Sequence, residues 1–509
     1  MNYLDYLASN ERVFPDRVAV REGDVTWTYA ELFEDARSAA TVLRDAGVDA
    51  GDAVVVMLPN TYHFVTSTLG SLARRAVVVP VNTRFRRREV ASLMDQVEPS
   101  AAIASGETLP AVNDALEESD ATDATDVTVF GVRTDDASDD APDDVRRWDA
   151  AVRTTRPAVA VPETMGEREA FVLHTSGTTG RPKGVVHTHA NLIAVSDASV
   201  ISYEMGPGSV FLAVMPLYHC TGIGTILGPT LKAGGELLLR EEWDPVAALD
   251  DVEAHGVNVF SGVPAMFKDW LAVASDRSVD TDSVRTGVIG GAGVSADLIR
   301  RSEAFLDAPV LNGWGMTETF AAGLWEDRRG SRRLPSVGRT SGRLIEAKVV
   351  DRSTGAEVPT NEPGELLVRG EALLTGYLDH EAEWTAEWFH TGDYARVDED
   401  GYVHVLDRVD YTIITGGENV YPQEVEGVIE ELDGVREAAV VGKPDEWKGR
   451  KPVAFVDRHP RADLTAEEVR DHVLAELAAF KHPREVTFVD ALPRNATGKL
   501  DRQTLEERL

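Results

Sequence analysis

The stretch HTSGTTGRPKGV, residues 174–185, follows the apolar triplet FVL and sets four hydroxyl side chains, Thr175, Ser176, Thr178 and Thr179, around the glycines Gly177 and Gly180. Glycines let backbone N–H groups converge on an anion, hydroxyls add neutral donors, and Lys183 supplies a point charge. The segment therefore reads as a phosphate-cradling loop. It is not the Walker A arrangement, where Gly-Lys precedes Ser/Thr directly, because Arg181 and Pro182 stand between Gly180 and Lys183.

Working outward, residues 1 to 110 read as α/β. AELFEDARSAATVLRDAG (30–47) has helical spacing, while GDAVVVMLP (51–59) and RRAVVVPVN (74–82) are buried strands. From Glu117 to Asp149 twelve acids and three arginines surround one short apolar stretch, DVTVFGV, and the segment reads as a solvated excursion. Apolar strands and periodic segments resume to about residue 345, as a mostly parallel, doubly wound arrangement requires. Then the texture changes. AKVVD (347–351), GELLVRG (364–370) and YARVDEDGYVHVLDR (394–408) read as a small antiparallel β unit. The last hundred residues alternate helices (QEVEGVIEEL, AEEVRDHVLAELAAF) with short strands (EAAVVG, KPVAFVD, EVTFVD), a compact α+β domain with a boundary near 407–411.

Composition narrows the function. The 509 residues carry 51 basic and 86 acidic side chains, a formal charge of −35, so nucleic acid and anionic lipid are repelled and neither is expected as a partner. A polyanionic ligand must find a local basic pocket, and with only nine lysines against 42 arginines each lysine stands out. This balance resembles that of extreme halophiles. The opening MNYLDYLASNERVF has no basic stretch followed by an apolar run, and no 18-residue apolar segment occurs, so membrane insertion is not expected. Cys220 is the single cysteine, which points to a reducing, cytoplasmic setting.

Further motifs follow in order: WGMTE (314–318), WFHTGDYARVDEDGYVHVLDR (388–408), GGENVYPQEVE (416–426) and PRNATGKLDR (493–502). With the hydroxyl-glycine loop they resemble the ordered signature of the acyl-adenylate-forming enzymes, which include acyl-CoA synthetases, nonribosomal-peptide adenylation domains and firefly-type luciferases. The five motifs span about 330 residues. The resemblance implies an α/β protein whose large N-terminal domain (1–407) holds doubly wound mixed sheets and a β subdomain at about 345–407. A hinge at 408–410 would join it to a small mobile α+β lid, 411–509.

It also implies ATP and Mg²⁺, with CoA as co-substrate and a small carboxylic acid as the group activated. Displacing pyrophosphate places a carboxylate against an anionic α-phosphate, so cations must offset the repulsion. Lys499, after a Thr-Gly turn, would bridge the two anions; Thr317 would hold the α-phosphate and Glu318 the Mg²⁺. The ribose would fall to Asp393 with Arg408 beside it. Adenine would stack on Trp314 within Gly313-Trp314-Gly315-Met316, with Gly291 and Ala292 of the flat GGAG stretch (290–293) on its other face. His219 would stand at the acyl-pocket entrance, and Gly416 and Gly417 would frame the pantetheine tunnel.

Other patterns are weighed down by their chemistry. His219 and Cys220, as neighbours in a strand, would point to opposite faces and form no nucleophile pair. His187 and His189 make only a two-ligand set, short of a zinc site. Two departures from the family pattern stand out. After Arg408 the chain reads Val409-Asp410-Tyr411, which keeps Asp410 as hinge but leaves the effect of Tyr411 open. KPDEWKGRKPVAF (443–455) crowds Lys443, Lys448, Arg450 and Lys451 together, a landing place for the CoA phosphates through Lys448 and Arg450.

YHCTGIGTILGP, from Tyr218, holds no acid to receive an ammonium, and its Gly222, Ile223, Gly224 and Ile226 with VPAMF (263–267) favour a medium- or long-chain fatty acid. An aromatic acid is the alternative, followed by a luciferase-type oxygenase, an amino-acid adenylating enzyme and a regulator without turnover. The sequence leaves the oligomeric state open, a homodimer among the options.

Overall fold

The computed structural model describes residues 3–118, 127–132, 145–158, 167–175, 182–326, 328, 332–340, 342, 344–379, 381–382, 384–416, 418–445, 447–459, 461–494 and 500–509. Ser176, Gly177, Thr178, Thr179, Gly180, Gly417 and Lys499 lie outside the described residues.

Two eight-stranded sheets dominate. In the first, Val310–Trp314, Thr286–Gly290, Val259–Gly262, Val210–Ala213, Glu236–Leu239 and Val18–Glu22 run parallel, with antiparallel edges at Leu324–Trp325 and Val25–Thr28. In the second, Glu169–Thr175, Val77–Pro80, Ala53–Met57, Ala101–Ser105, Thr128–Val132 and Arg146–Arg147 are parallel, and Lys183–Thr188 and Gly376–Tyr377 close one side antiparallel. Runs such as VVV at 54–56 and at 77–79 are apolar on both faces, as a strand covered on both sides must be.

One core joins the two sheets through the helices Tyr29–Asp45 and Tyr62–Arg74, gathering Leu32, Leu69, Val54, Phe171, Phe211 and Leu237. A second core lies under Arg87–Val97 and Leu109–Glu118 (Leu93, Val112), and a third under Pro245–His255, Pro264–Asp276 and Ala296–Leu306 (Leu249, Trp270, Ile299). The result is alternating helix and sheet layers around three cores. Thr28 and Thr188 begin their helices with reciprocal side-chain caps.

Of the acidic segment read as a solvated excursion, residues 119–126 and 133–144 lie outside the described residues, and the apolar stretch between them is not solvated. Thr128–Val132 is an inner strand with Phe130 fully buried, and Trp148 on the helix Trp148–Thr154 packs edge-on to Phe130, ring centroids 5.2 Å apart.

The β unit matches its pattern: Glu346–Val350, Gly364–Arg369, Trp388–Val397 and Val403–Arg408 pair antiparallel. The C-terminal part carries its own sheet, with Val435–Asp445 and Gly449–Arg458 as its long hairpin, Glu485–Val489 parallel beside it, and the helices Pro422–Ile429 and Ala466–Glu476 on a separate core. Among the described residues no helix is long and apolar enough to cross a membrane.

Candidate active site

Strand order brings the motifs together. Thr175 and Lys183 are opposite one another across the hairpin whose loop is the hydroxyl-glycine segment. WGMTE leaves the end of Val310–Trp314 and enters a single 3₁₀ turn, Thr317–Thr319. Gly315 is required there, since a Cβ would lie 2.3 Å from the Ala321 carbonyl oxygen. Phe320 and Ala321 then hold φ of +52° and +62°, two consecutive left-handed residues that carry strain. The ring of Phe320, fully buried against Phe171 and His187 at 5.8 and 4.7 Å, holds them there.

Three contacts fix this turn. His187 meets the Thr317 carbonyl through Nε2 at 2.7 Å, and its ring is fully buried, which pushes the imidazole down to about 4 despite that bond and leaves it neutral. A neutral Nε2–H therefore donates to the carbonyl. Leu374 N donates to the Glu318 carbonyl at 2.7 Å, and the Tyr377 hydroxyl donates to Glu318 Oε1 at 2.8 Å. The ring of Tyr377 in turn lies 5.5 Å from Lys183 Nζ. Neither His187 nor Tyr377 was singled out by sequence for this role; one stood in a discarded metal pair and the other in a short GYL segment without a distinctive pattern.

Glu318 is buried and brings a single carboxylate, and among the described residues no group of three or more His, Cys, Asp or Glu gathers as a metal site. That donor set fits Mg²⁺, which keeps water and phosphate ligands and needs only one or two carboxylates.

The ribose candidates are also assembled. Gly392, at φ +69°, turns the strand Trp388–Val397 so that Asp393 meets Arg408, Oδ1 to Nη1 at 3.0 Å. Trp314 Nε1 donates to Asp393 Oδ2 at 2.8 Å. Trp314 itself is 9 % exposed, and a Cβ on Gly323 would touch its ring at 2.6 Å. Its observed contact is the aiming of Asp393. In the GGAG stretch, Gly290 sits under the Gly313 carbonyl, where a Cβ would approach to 2.6 Å, while Gly291 and Ala292 are exposed.

His219 and Cys220 correct the strand argument. They occupy a bend and the start of a helix, not a strand, so both side chains reach the same side and Cys220 Sγ lies 3.4 Å from His219 Nδ1. The thiol is buried and also lies 3.8 Å from Thr317 Oγ1, so His219, Cys220 and Thr317 adjoin. The glycines of the expected acyl lining are taken up by packing: a Cβ on Gly224 would be 2.4 Å from Phe320 Cδ1, and one on Gly222 would be 2.2 Å from the Pro216 carbonyl.

The basic cluster is partly neutralised. Lys443 and Lys451 share Glu485 at 2.8 and 3.1 Å, and Arg450 pairs with Glu506; Lys448 is exposed at the hairpin tip beside Trp447, and its carbonyl accepts from Gly416 N at 2.8 Å. Tyr411, left open by sequence, lies under the guanidinium of Arg502, 5.3 Å from its ring centre, and Arg502 forks onto Glu426 at 2.6 and 2.9 Å. The two parts of the chain touch here: Asp407 accepts from Gln423 N at 2.9 Å, and Lys268 reaches Glu430 at 2.8 Å.

Comparison with known proteins agrees with this assembly. Residues 7–378 match the AMP-binding enzyme family and residues 424–499 the AMP-binding enzyme C-terminal domain. The chain is 34 % identical to a 7a-methyl-1,5-dioxo-octahydro-1H-inden-4-yl propanoyl:CoA ligase of Rhodococcus jostii (strain RHA1), covering 97 % of this chain and 96 % of that protein. It is 34 % identical to a feruloyl-CoA synthase of Amycolatopsis sp, covering 96 % and 95 %. The crystal structure of an anthranilate CoA ligase in complex with anthranoyl-AMP superposes with a TM-score of 0.91 at 25 % identity, over 100 % of this chain and 97 % of that one. With matches over both parts of its length and a site built from the same ordered motifs, the chain belongs to the AMP-binding enzyme family, among its AMP-forming CoA ligases.

Proposed function

We propose that the protein joins an apolar carboxylic acid to CoA in two half-reactions. A carboxylate oxygen attacks the α-phosphorus of ATP, the bond to the bridging oxygen breaks, and pyrophosphate leaves with its electron pair. The CoA sulfur then attacks the acyl carbon, loses its proton to solvent, and releases AMP. The observation that supports this best is the convergence of Lys183, Thr317, Glu318, Asp393 and Arg408, drawn from three separate motifs, through Tyr377 and Trp314.

In this reading the hydroxyl-glycine loop and Lys183 bind the phosphates. Asp393 and Arg408 take the ribose, with adenine stacked between the ring of Trp314 and the backbone at Gly291 and Ala292. Mg²⁺, held by Glu318, would supply positive charge at the phosphates. Lys499 bridges carboxylate and α-phosphate during the first half-reaction. Rotation of 411–509 about Asp410 then withdraws it and brings Gly416 and Gly417 to the pantetheine path. Lys448 is left as the exposed basic group for the CoA phosphates.

For the acid, a medium- or long-chain fatty acid follows from the absence of any acid between Tyr218 and Leu227 and from the apolar Val263 and Met266. A compact ring-bearing acid is the second reading. It is favoured by the packing of Gly224 on Phe320, which leaves no passage for a chain between them, and by the ring-bearing acids in the names of the similar ligases. Pyrophosphate release across fatty acids of graded length and across aryl acids, in low and high salt, separates the two.

The division of labour is tested with Lys499→Ala. The variant should lose acyl-AMP formation and still convert supplied acyl-AMP plus CoA to thioester; equal loss of both steps refutes it.

A further inference from the structure

The short segment Leu374–Leu378 contains no motif residue, yet it is bonded on one side to the strand that ends the phosphate loop and on the other to the turn that carries Glu318. Toward the strand, Thr375 N donates to the Val186 carbonyl at 3.0 Å and Leu378 N to the Gly184 carbonyl at 2.9 Å, which places Tyr377 opposite Val185. Toward the turn, Leu374 N holds the Glu318 carbonyl and the Tyr377 hydroxyl holds Glu318 Oε1.

We propose that Tyr377 is a positioning residue of the nucleotide site: with its hydroxyl on one oxygen of Glu318 and its ring beneath Lys183, it fixes the metal-binding carboxylate relative to the phosphate-binding ammonium and presents the second carboxylate oxygen to the cation. This rests on the reading of Glu318 as the Mg²⁺ ligand.

The chemistry is consistent. The Tyr377 hydroxyl donates to Glu318 Oε1 at 2.8 Å while its ring lies 5.5 Å from Lys183 Nζ. An ammonium near the ring edge or face draws electron density and strengthens that donor, while a carboxylate held at one oxygen cannot swing to chelate with both. Partners that orient a metal ligand from behind affect metal affinity by about 10- to 100-fold when removed.

The experiment measures Mn²⁺ affinity of the enzyme–ATP complex by water-proton relaxation, alongside ATP affinity in EDTA, for wild type, Y377F, E318Q and L378A. Y377F removes only the hydroxyl and should weaken Mn²⁺ binding about tenfold while leaving metal-free ATP affinity within about twofold. L378A loosens the same segment without touching the hydroxyl and should leave the Mn²⁺ constant as in wild type. E318Q should weaken Mn²⁺ binding at least as much as Y377F. If E318Q is impaired and Y377F is not, the role of Tyr377 is overturned and the reading of Glu318 stands. If E318Q binds Mn²⁺ normally, Glu318 is not the ligand and both fail. Equal weakening in L378A and Y377F reduces Tyr377 to strand integrity and also overturns the proposal.

Discussion

Trp314 shows how one side chain can serve core and site together. Its indole is buried on Gly323, and its single polar atom is bonded to Asp393. Removing that N–H leaves a buried carboxylate with one donor fewer, and a hydrogen bond to a charged group is worth roughly 1.5–3 kcal/mol. Trp314→Phe should therefore raise the KM for ATP by about tenfold or more while the KM for the acid stays near wild type. An unchanged KM for ATP would remove Trp314 from the ribose site. His187 is the companion case on the backbone: a neutral, buried imidazole clamping the carbonyl of Thr317. Tyr411, by contrast, meets the guanidinium of Arg502 at 5.3 Å from its ring centre, and Arg502 in turn forks onto Glu426.

At the scale of elements, two junctions matter. The helical segment from Cys220 packs through Gly224 onto Phe320, the residue that holds the strained turn after Glu318. Gly224→Ala puts a methyl 2.4 Å from that ring, an overpacking that costs roughly 1–3 kcal/mol. Thermal denaturation should show a lower Tm, with pyrophosphate release falling alongside; a Tm equal to wild type would mean that the helix and turn move independently. The second junction is Asp407, which is fully buried and accepts from Gln423 in the first turn of the helix Pro422–Ile429. Burial, and next the charge of Glu426, outweigh Arg502 and the two backbone donors and raise its carboxyl from 3.8 to about 7. The folded chain then holds this proton more tightly than the unfolded one, so its contribution to stability falls as pH rises from 3.8 to about 7. Asp407→Asn lacks that titration. The stability of the variant minus that of wild type, from urea unfolding, should grow between pH 4 and 7; a flat difference would show Asp407 ionised normally.

For the whole molecule, opposing titrations and net charge set the response to solvent. His174, His187 and His189 are each lowered by burial from 6.5 to about 4, so the unfolded chain takes up protons there that the folded chain refuses, and stability is lost as pH falls through that range. His63 and His404 are lowered by burial as well, whereas Asp35, Glu326 and Glu430 are raised by burial together with Asp407 and act in the opposite direction on acidification. A charge of −35 adds self-repulsion. Raising salt from 0.1 to 1 M shortens the screening length from about 10 to about 3 Å, and the Tm should rise with it. A Tm independent of NaCl would show that the acidic surface is already neutralised by its own ion pairs.

What was readable in advance followed from local rules. Continuous apolar runs mark strands buried on both faces, and the glycine, hydroxyl and lysine content of 174–185 marks a phosphate loop, because these depend on residue type and spacing alone. The expected domain layout, and the expectation that Thr317, Glu318, Asp393 and Arg408 share one site, rested on the same ordered motifs. Folding decided the rest. That Gly224 packs on Phe320, that Trp314 bonds Asp393, and that Tyr377 and His187 stand behind Glu318 and Thr317 all depend on contacts between residues 59 to 130 positions apart in the chain. Contacts of that separation are set by strand order and layer packing, which no local window of sequence contains.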